Sequence, residues 1–303
     1  MTEDASTARP RQRQPAKRSA NTAHSNSPGP AAPNTTPPVT AVALKTNWTL
    51  ICELLHEKKK QIGTVIPAGV NLTVESLIQS AIQFMHTSRE APTLKRCKPS
   101  TVLYAVIGAA AIGLDLTGDQ CYLIGYERTI ENNGARVHDF WECRLMVGYK
   151  GMITVAARNG FHMDIQAVFE GEAIQILLGT ANTVEHVAGF DTTKPIVGVY
   201  GVIRDKETDR VLHIERMSKI EIDGIAQEST SKVWKNARRY GEMARKTVAR
   251  RCFKWLPKSG AKDMAVLQEI ERRYEADLPL TDLAADLVGK GKMAEGKAAP
   301  VTS

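Results

Sequence analysis

Apolar residues recur at helical spacing through the first third of the chain. Thr73 is placed to cap a helix whose apolar positions Val74, Leu77, Ile78, Ala81, Ile82 and Met85 repeat at i+3 and i+4. Pro99-Ser100 opens another helix, Thr101 to Gly113, rich in alanine and suited to close packing. After Gln120 the pattern turns to strand. Cys121–Tyr126 and Asp139–Val147 flank Glu131-Asn132-Asn133-Gly134, a hairpin signal. A short helix is predicted over Gly151–Asn159, ended by Gly160 in the left-handed conformation. Strands are predicted again over 161–170, Ile196–Arg204 and Arg210–Glu215, the last two joined by the polar loop Asp205–Asp209. Helix returns around 218–227, then through a basic segment closed by Pro257, with a short helix near 262–276. The order helices, sheet, helices predicts an α+β fold. It has N-terminal helices, a central antiparallel sheet interrupted by a short helix, and a C-terminal basic helix.

Charge sharpens that picture. From Lys232 to Lys258 the chain carries ten Lys or Arg and a single acid, Glu242, whereas the whole protein has a net charge of only +7. On a helical projection Tyr240, Ala244, Thr247, Val248, Cys252 and Trp255 share one side, with Met243 at its edge. Arg239, Lys246, Arg250 and Lys254 fall on the other side, with Phe253 beside them, and this cationic arc is expected to face solvent. Arg251 points towards the apolar side and needs a specific partner. A solvated helix face normally mixes signs to gain i,i+4 pairs, and this one lacks the acids. A focused basic stripe with interleaved aromatics therefore points to a polyanion, nucleic acid first.

The ends of the chain differ from its middle. Residues 1–42 hold seven of the fourteen prolines and no Phe, Trp or Tyr, with Arg9, Arg11, Arg13, Lys17 and Arg18 clustered early. Such a tail cannot bury enough apolar surface to offset its ordering entropy, so disorder is expected there and again from about Gly289. The expected organisation is a tail over 1–42, a core over 45–258, and a short helix with a flexible tail over 259–303. No secretory signal is predicted, and the longest uncharged apolar run, Val102–Leu114, is too short to span a bilayer. The five cysteines are widely spaced without any Cys/His ligand pattern, as expected of free thiols in a reducing cytoplasm.

Candidate chemistry is sparse. Gly113–Gln120 has the glycine spacing of a phosphate loop, but Asp119 and Gln120 stand where Lys and Ser/Thr are needed. Asp115 with Asp119, and Asp164 with Glu170 and Glu172, are acid pairs that a metal nuclease would use and that loops ordinarily contain. No catalytic site, metal site or cofactor is predicted.

Four stretches in order resemble the RecT family of phage-type single-strand annealing recombinases. They are Ala91–Ser100 running into Ala111-Ile112-Gly113-Leu114-Asp115, then Val147–Gly160, Lys194–Tyr200 and Met243–Arg251. The resemblance covers about residues 50–258. It implies an α+β core that assembles as rings or helical filaments, binds single-stranded DNA and pairs it with a complement without nucleotide hydrolysis. It also implies a 5′→3′ exonuclease partner and a bacterial cytoplasm, with phage or prophage origin. Carried onto this chain, it places Lys150, Arg158, Arg245, Lys246 and Arg250 in a DNA groove. Lys235, Arg239 and Lys254 of the basic segment complete the candidate set. Gly148 and Gly151 would let the backbone approach phosphate, or serve a strand-to-helix turn. The competing readings are a protein that coats single strands without pairing them, a metal nuclease and a sequence-specific repressor.

Overall fold

The computed structural model describes residues 46–132, 135–229, 232–257 and 262–295. The tail expected over 1–42 lies outside them. The first elements are α1 (Asn47–Glu57), α2 (Lys59–Gly63), α3 (Val74–Thr87), α4 (Ala91–Leu94) and α5 (Pro99–Ile112). Thr73 caps α3 as its sequence predicts, its hydroxyl accepting the Ser76 amide at 3.1 Å. Helix α5 is the centre of the fold: every residue from Ala105 to Ile112 is buried. Its small side chains let α1, α3 and later elements approach from several directions.

The expected hairpin is β1 (Cys121–Asn132) with β2 (Ala135–Val147), paired from Cys121↔Val147 to Asn132↔Ala135. Its turn, residues 133–134, lies outside the described residues. Cys121, Leu123, Cys143, Leu145 and Val147 alternate onto the core face, while the distal half is exposed. Then come α6 (Tyr149–Arg158), β3 (Phe161–Phe169), β4 (Ala173–Leu177), β5 (Thr183–Val187), β6 (Ile196–Asp205), β7 (Val211–Ser218) and α7 (Lys219–Glu228). Gly160 follows α6 at φ 83°, the left-handed stop expected from the sequence. Strands β3, β6 and β7 form an antiparallel sheet in the order β3-β6-β7. The central sheet is thus in separate antiparallel pieces, the third being a hairpin of β4 and β5 that the pattern does not reveal. Each of its strands has five residues, too few for alternation to stand out. Ile176 and Val184 pack it onto Val168, Tyr200, Val202 and Ile214, on a cluster separate from the main core.

The basic segment is not one helix. A 3₁₀ turn (Lys232–Lys235) precedes α8 (Ala237–Lys254). Two more helices, α9 (Lys262–Glu275) and α10 (Thr281–Glu295), complete the described chain. The flexible segment expected from Gly289 is, as far as Glu295, part of α10. Met264, Leu267, Ile270, Leu280 and Ala284 join the main core, so the folded body extends past the boundary at 258 that charge and composition suggest. Among the described residues no helix is long and apolar enough to cross a membrane.

Helix α9 carries its own electrostatic clamp. Glu269 accepts from Arg272 at 2.7 Å and from Arg273 at 2.8 Å, and these partners, Arg272 first, hold its carboxyl down at about 2. A carboxyl depressed in the folded state stabilises fully above its unfolded value and loses that contribution as pH falls towards 2. Glu269→Gln is therefore expected to flatten part of the acid limb of stability against pH, and to leave the slope above pH 6 unchanged. Chemical denaturation across that range measures both.

Candidate nucleic-acid interface

Helix α8 is covered on two sides. Ala244, Val248 and Cys252 are buried towards β3 and β6, in the phase the sequence predicts. Burial pushes the Cys252 thiol up to about 12. The opposite side meets α6 and α9, where Ala249 and Phe253 are buried. Of the cationic arc expected to face solvent, Arg239 and Lys254 are exposed, while Arg250 is partly sheltered on this side. Arg250 forms an ion pair with Glu271 at 3.2 Å, and Lys254 one with Glu275 at 2.8 Å. The acids missing from the basic segment are supplied by α9, which no projection of α8 alone can show. Glu271 is largely buried beside a cleft of about 250 Å³ that Arg250 and Lys254 also line, and burial pushes its carboxyl up against the pull of Arg250.

The aromatics at the end of α8 exchange roles relative to expectation. Phe253, expected beside the exposed stripe, is 2% exposed. Trp255, expected in the core, is 64% exposed and stacks on His213 with ring centroids 4.6 Å apart. The helix ends at Lys254, so the helical phase that places Trp255 on the apolar side no longer applies. Arg251 finds the specific partner it needs in Glu215 at 3.4 Å.

Arg158 is also committed inside the protein. Its guanidinium donates to Ile112 O at 2.5 Å and Gly113 O at 3.1 Å, closing the carboxyl end of α5, and lies 3.3 Å from Asp263. Gly148 and Gly151 serve the turn. The Gly148 amide donates to Gln120 O at 2.8 Å, and a Cβ on Gly151 would stand 2.5 Å from that same carbonyl. Backbone packs where the sequence leaves room for phosphate.

The remaining candidates gather at the start of α6. Lys150 is exposed and ion-paired with Asp119 at 2.8 Å, a bond that raises its ammonium pKa. Beside it the Tyr149 hydroxyl donates to Glu242 at 3.0 Å, and Arg245 donates to the same carboxylate at 3.0 Å. One turn on, Lys246 donates to the Tyr122 hydroxyl at 3.3 Å and lies 5.9 Å from its ring centroid. Lys150, Arg245 and Lys246 thus share a surface with Tyr122 and Tyr149, two aromatics that the charge pattern passes over. Arg239 is exposed in the first turn of α8, and Lys235 on the 3₁₀ turn before it. The structure brings three of the eight candidates together and leaves Lys235 and Arg239 exposed nearer the helix start. It commits Arg158 and Arg250 to partners within the fold, and leaves Lys254 exposed in a surface ion pair with Glu275.

Such a surface suits a polyanion. Exposed cations give phosphate its attraction, and tyrosines beside them offer π-faces to bases. The acid pairs considered for a metal have other work. Glu172 accepts the Phe169 and Gly189 amides, each at 2.6 Å, and Asp119 holds Lys150. Among the described residues no group of three or more His, Cys, Asp or Glu could hold a metal ion.

The family model described as RecT family matches residues 75–277. Protein RecT of Escherichia coli (strain K12) is 28% identical over 235 residues, which span 75% of this chain and 80% of that protein. The matched span runs from α3 to the end of α9 and takes in the whole surface around Lys150 and Lys246. The chain belongs to the RecT family, and is in general terms a recombination protein of the single-strand annealing kind.

Proposed function

We propose that this protein binds single-stranded DNA through Lys150, Arg245 and Lys246, with Lys235 and Arg239 extending the track, and anneals it to a complement without nucleotide hydrolysis. The observation that carries this reading is the clustering of those three cations with Tyr122 and Tyr149 inside the family match. Cations along a backbone neutralise repulsion between strands and leave base edges free to test pairing. A continuous track needs repeated protomers, so the working form is an oligomer on DNA. A 5′→3′ exonuclease that generates the single strands is the natural partner, in the cytoplasm of a bacterial host or its phage.

The test is the rate at which complementary oligonucleotides of low spontaneous annealing rate become duplex, with and without protein, in the absence of nucleotide. Acceleration is expected. An unchanged or lowered rate at every protein-to-nucleotide ratio overturns annealing and leaves a protein that coats single strands. Lys246→Ala is expected to keep the fold and to lower the slope of log K against log[salt] by about 0.7, the value for one lost single-strand phosphate contact.

A further inference from the structure

Three cations on the turn between α4 and α5 differ from most of those on α8. Lys95 lies 5.3 Å from the ring centroid of Trp48, Arg96 4.9 Å from that of Trp141, and Lys98 5.3 Å from that of Phe140. Among the described residues none of the three forms an ion pair. Lys150, Arg245, Arg250, Arg251 and Lys254 each hold a carboxylate instead. A cation resting on a ring keeps its full charge for an arriving anion, whereas an acid-paired one must first exchange its partner.

The turn itself is fixed. Asn47 Nδ2 donates to Lys95 O at 2.7 Å and to Cys97 O at 2.9 Å, and the Lys98 amide donates to Trp141 O at 2.8 Å. Beside Lys98 opens a cleft of about 390 Å³, lined by Lys98, Tyr104, Arg128 and Phe140 together with the acids Asp139 and Glu142. Glu142 is ion-paired to Arg128 at 2.6 Å, so that among the described residues Lys98 is the free cation at its edge. Phe140 pairs with Arg128 across the hairpin, and Arg128, Tyr126 and Tyr122 alternate onto one face of β1. That face carries three aromatic–cation pairs in succession: Phe140 with Lys98, Tyr126 with Arg144 at 4.9 Å, and Tyr122 with Lys246. Of these Arg144 is also held by Glu142 and Asp277, so among the described residues the two ends of the row carry the free charge. From Arg128 to Tyr122 is roughly 20 Å at about 3.4 Å per residue. The row therefore starts at this cleft and ends at the interface described above.

We propose that the α4–α5 turn and this cleft form a second nucleic-acid contact, in which a base of a single strand stacks on Phe140 while neighbouring phosphates meet Lys98 and Arg96. The proposal rests on the DNA-binding function given above. Stacking on an aromatic face is indifferent to base identity, as annealing of arbitrary sequences requires.

The test measures binding of the full-length protein to a fluorescent single-stranded oligonucleotide, and to an abasic strand of the same length, across a salt titration. Lys246→Ala serves as the reference variant. Lys98→Gln and Arg96→Gln are each expected to lower the salt slope on both strands by about 0.7. Phe140→Leu is expected to weaken the base-bearing strand roughly tenfold, the scale of one lost stack, and to leave the abasic strand unaffected. If circular dichroism shows that Phe140→Leu is unfolded, Lys98→Gln and Arg96→Gln decide, because both side chains are exposed. Wild-type affinity and slope in all three variants, beside a weakened Lys246→Ala, overturn the second contact alone. Equal loss on both strands in a folded Phe140→Leu overturns the stacking. A wild-type protein that binds no single strand overturns this proposal together with the function it rests on.

Discussion

Replacing Phe253 by alanine is expected to destabilise the protein by about 3–5 kcal/mol, whereas Trp255→Ala should cost less than about 1 kcal/mol. The difference follows from surroundings, since both are large aromatics at the end of one helix. Phe253 is 2% exposed and sits beside Met152, under α9, whose Gln268 amide reaches back to Phe253 O at 3.5 Å and Leu256 O at 3.2 Å. Truncation there leaves a cavity that two helices cannot both close. Trp255 is 64% exposed and loses only its stack on His213. Equilibrium urea denaturation measures both, as a shift in midpoint at constant m. Equal losses would contradict the packing of α8 against α9.

Arg158→Ala is expected to cost about 2–4 kcal/mol, and to act on stability more than on affinity for DNA. The guanidinium satisfies two carbonyls at the end of the most buried helix and offsets the charge of Asp263, which is 7% exposed. Its removal leaves that carboxylate with only the Asn159 amide at 3.1 Å and its hydrogen bond to the Met264 amide at 2.9 Å. Breaking one side of a sheltered ion pair is costly because the remaining charge stays desolvated. Arg158→Lys restores the charge without the fork that spans both carbonyls, so partial recovery is expected. A variant with wild-type stability and weakened DNA binding would instead return Arg158 to the DNA groove.

Local signals made most of the elements legible. The Thr73 cap, Pro99 at the start of α5, the turn signal at Glu131–Gly134 and Gly160 after α6 each act within a few residues, where sequence and cause are adjacent. The β4–β5 hairpin was hidden because two short strands carry too little pattern. At the site, the basic segment was visible and its surroundings were not. A helical projection gives angles about one axis and says nothing about what arrives from another element. It places Ala244, Val248 and Cys252 inward and Lys254 at the surface, as found. It cannot show that Arg250 is sheltered against Glu271 or that Glu275 pairs with Lys254, because both acids belong to a different helix. Tyr122 meets Lys246 across 124 positions, a pairing that only the fold creates.

The dependence of α8 on α9 has a temporal side. Arg250 and Lys254 leave the ribosome about twenty residues ahead of Glu271 and Glu275, their counterions in the folded protein. At about 5–20 residues per second, the nascent chain spends on the order of seconds with that stripe unneutralised and with the place of Leu267 and Ile270 against α5 unfilled. The last helices therefore act as a closing charge cover. Until they dock, the growing protein presents to the polyanions around it an Arg250 that the finished one keeps for itself and a Lys254 whose charge it later balances.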